Sequence, residues 1–183
     1  PTIQGTGTAG DTITVTFPGG ETATVVVASN GTWSVTPTNA LPDGLNNVSV
    51  TATDPAGNTS PATTVPVTID TTPPAAPAAD VAAASDTGAS NTDNITSDTT
   101  PTISGAGATP GDTITLYAPN GTTVLGTAVV AADGSWAITP TTALAEGLST
   151  LSVKATDPAG NTSAPAALPI TIDTTAPAAP AAT

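Results

Sequence analysis

The sequence predicts an all-β protein made of two tandem antiparallel β-sandwiches arranged end to end. Three observations carry that reading. The chain repeats itself once over nearly its whole length. Its apolar residues recur at every second position rather than every 3.6. Turn signals interrupt it about every 10–15 residues, and no stretch has helical periodicity.

The repeat is read directly. Pro1-Thr-Ile-Gln-Gly-Thr-Gly returns as Pro101-Thr-Ile-Ser-Gly-Ala-Gly. Gly10-Asp-Thr-Ile-Thr-Val returns as Gly111-Asp-Thr-Ile-Thr-Leu. Asn30-Gly-Thr-Trp-Ser-Val-Thr-Pro returns as Asp133-Gly-Ser-Trp-Ala-Ile-Thr-Pro. Ala52-Thr-Asp-Pro-Ala-Gly-Asn-Thr-Ser returns from Ala155 without a change. Ile69-Asp-Thr-Thr-Pro returns as Ile172-Asp-Thr-Thr-Ala. Small loop insertions account for an offset that drifts from 100 to 103 residues. A module that recurs in this way implies an array, and the chain reads as a fragment of one.

In the first copy Thr12–Phe17, Thr32–Val35, Asn47–Ala52 and Val65–Ile69 alternate β-branched or aromatic residues with Thr, Ser or Pro. Thr113–Leu116, Ser135–Ile138, Leu151–Ala155 and Leu168–Ile172 do the same in the second. That alternation suits strands with one buried and one wet face. Pro18-Gly-Gly, Asn30-Gly, Asp43-Gly, Pro119-Asn-Gly, Asp133-Gly and Glu146-Gly supply the turns. Six or seven short strands per 100 residues define an immunoglobulin-like sandwich. Trp33 and Trp136 fall mid-strand and are expected to anchor the two cores. The predicted boundaries are 1–73 for the first repeat, 74–79 for a Pro-rich linker, 80–175 for the second repeat with its Asp-rich leading segment, and 176–183 for the start of a further linker.

Composition excludes several functions. Of the 183 residues none is Cys, His or Met. That removes disulfides, His and Cys catalysis, and the usual zinc, haem and iron–sulfur ligand sets. One Lys or Arg stands against 14 Asp and Glu, for a net charge of −13. A chain with a single cation cannot neutralise several phosphates, so nucleic acid and anionic membranes are not expected partners. No apolar run approaches the roughly 20 residues of a membrane span, so no membrane insertion is expected, and no signal peptide opens the chain at Pro1. The 17 Gly and 19 Pro fall below the share typical of low-complexity disorder, and only 8% of residues are charged.

The acids cluster. Asp70, Asp80, Asp86, Asp93 and Asp98 lie within 29 residues, with no Lys or Arg among them. Short Asp side chains cap turns, and solvated turns are one reading. Calcium is the other, since it takes six to eight oxygens from carboxylates, amides and backbone carbonyls. The expected topology places Asp157, in the loop before the last strand, opposite this segment. Asp70, Asp86, Asp93, Asp98 and Asp157 are therefore the candidate Ca²⁺ ligands, converging at the junction between modules. The Asp-Pro-Ala-Gly-Asn loops at Asp54 and Asp157 also read as rigid turns with Gly57 and Gly160 at positive φ.

The stretches from Asp70-Thr-Thr-Pro-Pro-Ala-Ala-Pro, Ser85-Asp-Thr-Gly, Thr92-Asp-Asn-Ile-Thr-Ser-Asp, Gly134-Ser-Trp and Thr156-Asp-Pro-Ala-Gly-Asn-Thr-Ser resemble the bacterial immunoglobulin-like repeats of giant Gram-negative surface adhesins. These include biofilm-associated proteins and the extender regions of type I-secreted RTX adhesins. The resemblance implies tandem β-sandwiches and calcium at domain junctions. It implies a stalk that carries distal adhesive domains from the cell surface in biofilm formation or attachment. It implies an extracellular chain whose partners are neighbouring repeats of the same polypeptide, monomeric as a fragment. RTX calcium nonapeptides are absent from the sequence, so a secretion signal is expected elsewhere. A module that itself binds a glycan or protein is the alternative; exposed tryptophans would favour it. An enzyme is not expected. Asp43, Asp54 and Asp70 can be imagined as an acid/base pair, but each has a turn or junction reading and the acids recur in both copies.

Overall fold

The computed structural model describes residues 1–181 and contains fourteen strands and no helix among them. Among the described residues no helix is long and apolar enough to cross a membrane. The described residues fall into two compact units that divide between Thr71 and Thr72. Residues 182 and 183, the end of the expected second linker, lie outside the described residues.

The first unit has β1 (Ile3–Thr6), β2 (Thr12–Thr16), β3 (Thr22–Val26), β4 (Thr32–Val35), β5 (Gly44–Thr53) and β6 (Thr63–Ile69). One sheet has the order β3-β2-β5-β6, and β1 pairs with β4 in the other. All these pairings are antiparallel. Alternation puts Ile13, Val15 and Phe17 inward, where they meet Ile3, Val27, Val35, Leu41 and Val48 in a dry core. The Thr residues between them face water or its margin, as a half-buried strand requires.

The second unit repeats this plan with β9 (Ile103–Gly105), β10 (Thr113–Tyr117), β11 (Val124–Val129), β12 (Trp136–Ile138), β13 (Gly147–Thr156) and β14 (Ala166–Ile172). It adds two short strands ahead of them, β7 (Asp80–Val81) and β8 (Ile95–Thr96). β7 joins the small sheet to give β12-β9-β7, and β8 joins the large one to give β11-β10-β13-β14-β8. The β14–β8 pairing is parallel, the one departure from the antiparallel pattern among the described pairings. Residues 74–79, expected as a linker, lie within this second unit, and Pro77 is buried.

The turns are set by the residues anticipated for them. Gly31 and Gly134 lie at φ 81°, Gly57 at 89° and Gly160 at 93°, a region that an L side chain enters only with strain. Trp136 is 4% exposed and anchors the second core, as expected. Trp33 is only partly buried and packs against the margin of the first core. The two tryptophans are therefore not equivalent, a difference taken up below.

Candidate cation site

The acidic segment 80–100 builds its geometry around Asp86. Ser85 and Asp86 donate their backbone N–H groups to the Ala82 carbonyl, which closes a tight turn after β7. That turn carries the Asp86 side chain inward, where it is 3% exposed. Its Oδ2 accepts the N–H groups of Asp93 at 3.1 Å and Asn94 at 3.2 Å. Its Oδ1 is buried and has no hydrogen-bond partner among the described residues. A buried carboxylate oxygen without a partner is costly, because the charge has left water and nothing replaces the lost hydration.

Acceptors outnumber donors next to it as well. The N–H of Val81 donates both to Asp80 Oδ1 at 3.0 Å and to Asn94 Oδ1 at 3.3 Å. Asn94 takes a left-handed backbone conformation, φ 59°, that Asn tolerates better than most residues and that places its amide here. Asp93 Oδ1 accepts the Ile95 N–H, and Asp98 Oδ1 accepts the Thr100 N–H, each in a short local turn. Thr96, 1% exposed, ties the segment together: its hydroxyl donates to the Ser85 carbonyl at 2.6 Å and accepts the Asp98 N–H. Asp93 and Asp173 line one shallow cavity with Thr87 and Ser97.

The strand register corrects one expectation. Asp86, Asp93 and Asp98 do not converge with Asp157. β8 pairs with the last residues of β14, Thr171↔Ile95 and Ile172↔Thr96, and there Ile172 also faces Gly147 at the start of β13. Asp157 follows the far end of β13, where Thr156 faces Thr113. The ten residues of β13 span about 30 Å at 3.3 Å each, so these acids lie at opposite ends of the unit. The physical reason is that the segment passes along β9 at Asp80 and Val81 and then meets the last two residues of β14 at Ile95 and Thr96, the end of that strand away from the Asp157 loop.

Asp157 closes its own loop. Its Oδ1 accepts the Asn161 backbone N–H at 2.8 Å, and its Oδ2 accepts the Asn161 side-chain amide at 2.9 Å. Those bonds, the side-chain amide first, hold its carboxyl below the ordinary aspartate range. Asp54 is lowered in the same way by Asn58. Asp70 follows β6 in the first unit as Asp173 follows β14 in the second. Beside each, an acid clamps the chain: Asp43 accepts from Thr71, and Glu146 from Thr174. No three acidic side chains gather to hold a metal among the described residues. A cation here must take part of its shell from amide and backbone oxygens. Asn94 and Asp173 are residues the sequence reading passed over. The first was legible only as an αL-tolerant Asn ahead of Ile95, the second as the repeat of Asp70.

Two sandwiches with the same strand order and the same capped loops define an immunoglobulin-like repeat protein. The bacterial Ig-like domain family model matches residues 1–71 and 73–174, and the chain belongs to that family. No functionally curated protein matches it. Among solved structures it is similar to an adhesin described as Ca²⁺-stabilised, which helps an Antarctic bacterium reach out and bind ice. That match has 31% identity, covers 97% of this chain and 45% of the other, and has a TM-score of 0.46. It is similar to a tetra-tandem repeat in the extending region of a large adhesion protein, at 25% identity over 96% of this chain and 46% of that one, TM-score 0.43. It is also similar to the BSP domain of a biofilm-associated protein, at 26% identity over 96% and 28%, TM-score 0.38. The chain spans less than half the length of each of these.

Proposed function

We propose that this chain is a spacer segment of a long bacterial surface adhesin, a non-catalytic stalk that projects distal adhesive domains away from the cell. The observation that carries the reading is the duplication itself. The same sandwich is built twice, with the same strands and the same Asp-Pro-Ala-Gly-Asn loop closed by the same hydrogen bonds. A unit repeated with its loops intact adds length, whereas chemistry would concentrate in one copy. Asp43 and Asp54, two of the acids one could cast as a catalytic pair, are engaged otherwise: Asp43 accepts the Thr71 N–H and hydroxyl where the chain leaves β6, and Asp54 caps its own loop. Extracellular placement on the cell surface, type I secretion and a role in biofilm formation or attachment belong to this same proposal.

The finer part of the proposal is calcium. Asp86 would hold it through Oδ1, with oxygens of Asp80, Asn94 and Asp93 in reach of the same turn and Asp173 as the acid where the chain leaves β14. Asp70 holds the corresponding position in the first unit, and Asp157 would serve a site at the other end of its module. The support is the surplus of acceptors around Asp86, which suits a hard cation with oxygen ligands. When bound, calcium supplies charge neutralisation and fixed angles between oxygens. The protein's part is to pre-organise them: Thr96 and the 86–94 turn lock the segment against β14 before any ion arrives. Affinity need only match extracellular calcium, a Kd of about 10⁻⁴–10⁻³ M. Thermal unfolding of the whole chain in chelator and in millimolar calcium tests this. At calcium ten-fold above Kd one site stabilises by about 1.4 kcal/mol, so the second unit's transition should rise. An unchanged transition removes calcium from the account and leaves the duplicated spacer standing.

A further inference from the structure

The outward faces of the two large sheets carry different chemistry at matched positions. In the first unit Thr14 faces Thr51 and Thr16 faces Ser49 across β2 and β5. In the second unit Thr115 faces Lys154 and Tyr117 faces Ser152 across β10 and β13. Tyr117 and Lys154 thus stand where the first unit has Thr16 and Thr51. The first unit builds the same strand order with hydroxyls at both places, so the fold itself calls for neither a ring nor a cation there. Lys154 is the single Lys or Arg of the chain, set against 14 acids.

The two side chains are placed for each other. They are diagonal neighbours on one face of the sheet, within reach for long side chains. The Lys154 ammonium lies 5.4 Å from the centre of the Tyr117 ring, a cation–π distance. A groove of about 360 Å³ opens beside the ammonium, and no acidic side chain lines it. β13 lies between β10 and β14, so its outward residues Thr150, Ser152 and Lys154 form the floor. Pro119, in the loop after β10, stands on one side, and Pro165 and Ala167, at the start of β14, on the other.

Both sides are fixed by hydrogen bonds. Asn120 Oδ1 accepts the N–H groups of Thr122 at 3.1 Å and Thr123 at 2.9 Å, and its amide donates to the Thr123 hydroxyl at 2.8 Å. Ser163, 6% exposed, accepts the Ala155 N–H on its hydroxyl and donates that hydroxyl to the Ala164 carbonyl, just ahead of Pro165. Walls held in place before a ligand arrives lose less freedom when it binds.

The surface chemistry selects the ligand. A cation with no carboxylate beside it is complementary to an anion. A second copy of this chain brings a net charge of −13 against −13, and the two repel. An extended peptide finds no free backbone here, because β13 spends its N–H and C=O groups on β10 and β14. A slender anionic chain feels the field only locally, since exposed charges are screened beyond about 8–10 Å at physiological salt. Thr150 and Ser152 offer hydroxyls, and Pro119, Pro165 and Ala167 offer apolar surface. Carboxylate, hydroxyls and an apolar ring face occur together in a uronic acid.

We propose that the outer face of the second unit's large sheet binds an acidic polysaccharide. A uronic-acid carboxylate sits on the Lys154 ammonium, its sugar ring lies against Pro165 and Ala167, and its hydroxyls meet Thr150 and Ser152. Tyr117 is a positioning residue that holds the ammonium at the groove. The site gives a spacer a lateral grip as well as length, and repetition along an array turns weak contacts into retention. It goes beyond the spacer reading and needs no calcium.

The test titrates the intact chain with a galacturonic acid trimer, and with the methyl ester of that trimer as an uncharged control. With nitrogen-15 lysine the chain gives one backbone amide signal, that of Lys154. The expected result is a saturable shift of that signal with a Kd of about 1 mM, equal in chelator and in millimolar calcium. Amides of Ser152 and Ala167 shift with it, and that of Thr51 does not. The ester binds at least ten-fold more weakly. Lys154→Thr and Tyr117→Thr install the first unit's residues, so both variants should fold. The first loses binding by about ten-fold or more, as the loss of a charged hydrogen bond requires. The second loses about three-fold, as the loss of an exposed cation–π contact requires. No shift at tens of millimolar trimer overturns the proposal, as does equal binding by the ester or by Lys154→Thr. Binding seen only with calcium would mean a bridging ion, and tighter binding of triglutamate would mean an acidic-peptide site. A Lys154 shift that follows protein concentration alone would mean a second copy. Each of these three results also overturns it.

Discussion

Replacing each tryptophan by alanine should separate the two units by a measurable margin. Trp136 is 4% exposed and touches the whole second core, so its removal leaves a cavity. Large-to-small changes of this kind cost about 3–5 kcal/mol. One effect opposes the loss: the buried indole N–H of Trp136 has no partner among the described residues, and deleting it recovers part of its desolvation cost. The expected net cost is therefore at the low end, about 3 kcal/mol. Trp33 keeps part of its ring in water, so its replacement forfeits about half the burial, roughly 1.5–2 kcal/mol. Native-state amide exchange reads both, since strands β12 and β13 report on one unit and β4 and β5 on the other. In a melt, 3 kcal/mol lowers the transition of a domain this size by about 12–24 °C. Phenylalanine sharpens the contrast. Trp136→Phe removes an unpartnered donor and should be close to neutral, while Trp33→Phe loses the bond to Thr6. Equal losses in the two alanine variants, or a larger loss at Trp33, would refute this account of the two cores.

Gly105→Ala should be worse than Gly5→Ala, because the added methyl meets the Ala78 carbonyl as well as the Trp136 ring, whereas at Gly5 it meets only the Trp33 ring; amide exchange at Asp80 and Val81 should rise in the first variant, and unchanged protection there would contradict this close approach of Ala78 to Gly105. Asp157 should titrate below the ordinary aspartate value of about 3.9. A carboxyl lowered in the folded state contributes stability that is present above its unfolded pKa and is lost as pH falls through its folded one. Carbon-13 titration of the intact chain should show that depressed midpoint, and Asn161→Ala should raise it. A midpoint at or above the ordinary value would contradict the loop geometry.

What the sequence disclosed depended on whether a feature was local. β2, β4, β5 and β6 and their repeats alternate cleanly over at least four residues in most copies, and each lies where periodicity puts it. β7 and β8 have two residues each, too few for any period, and exist only because β9 and β14 offer edges to them. The edge strands β3 and β11 expose Val26 and Val129, which blurs the inside–outside pattern. The turn glycines were legible because φ is a property of one residue. The burial of Asp86 was not, since it depends on a segment folding back across the sandwich. The same crossing separates Asp98 from Asp157 and could not be seen from loop order alone. The inequality of Trp33 and Trp136 is equally non-local: similar neighbours in sequence flank both rings, and only one is fully buried.

The most direct measurement of the central claim is calorimetric titration of the decalcified chain with Ca²⁺, repeated on Asp86→Asn and Asp157→Ala. Asp86→Asn keeps an oxygen to accept the N–H groups of Asp93 and Asn94 while removing the charge, so the fold should persist. Binding with a Kd of about 10⁻⁴–10⁻³ M should be lost at the 80–98 segment in Asp86→Asn and retained there in Asp157→Ala. No heat at millimolar calcium, or binding that Asp86→Asn leaves untouched, would contradict the account.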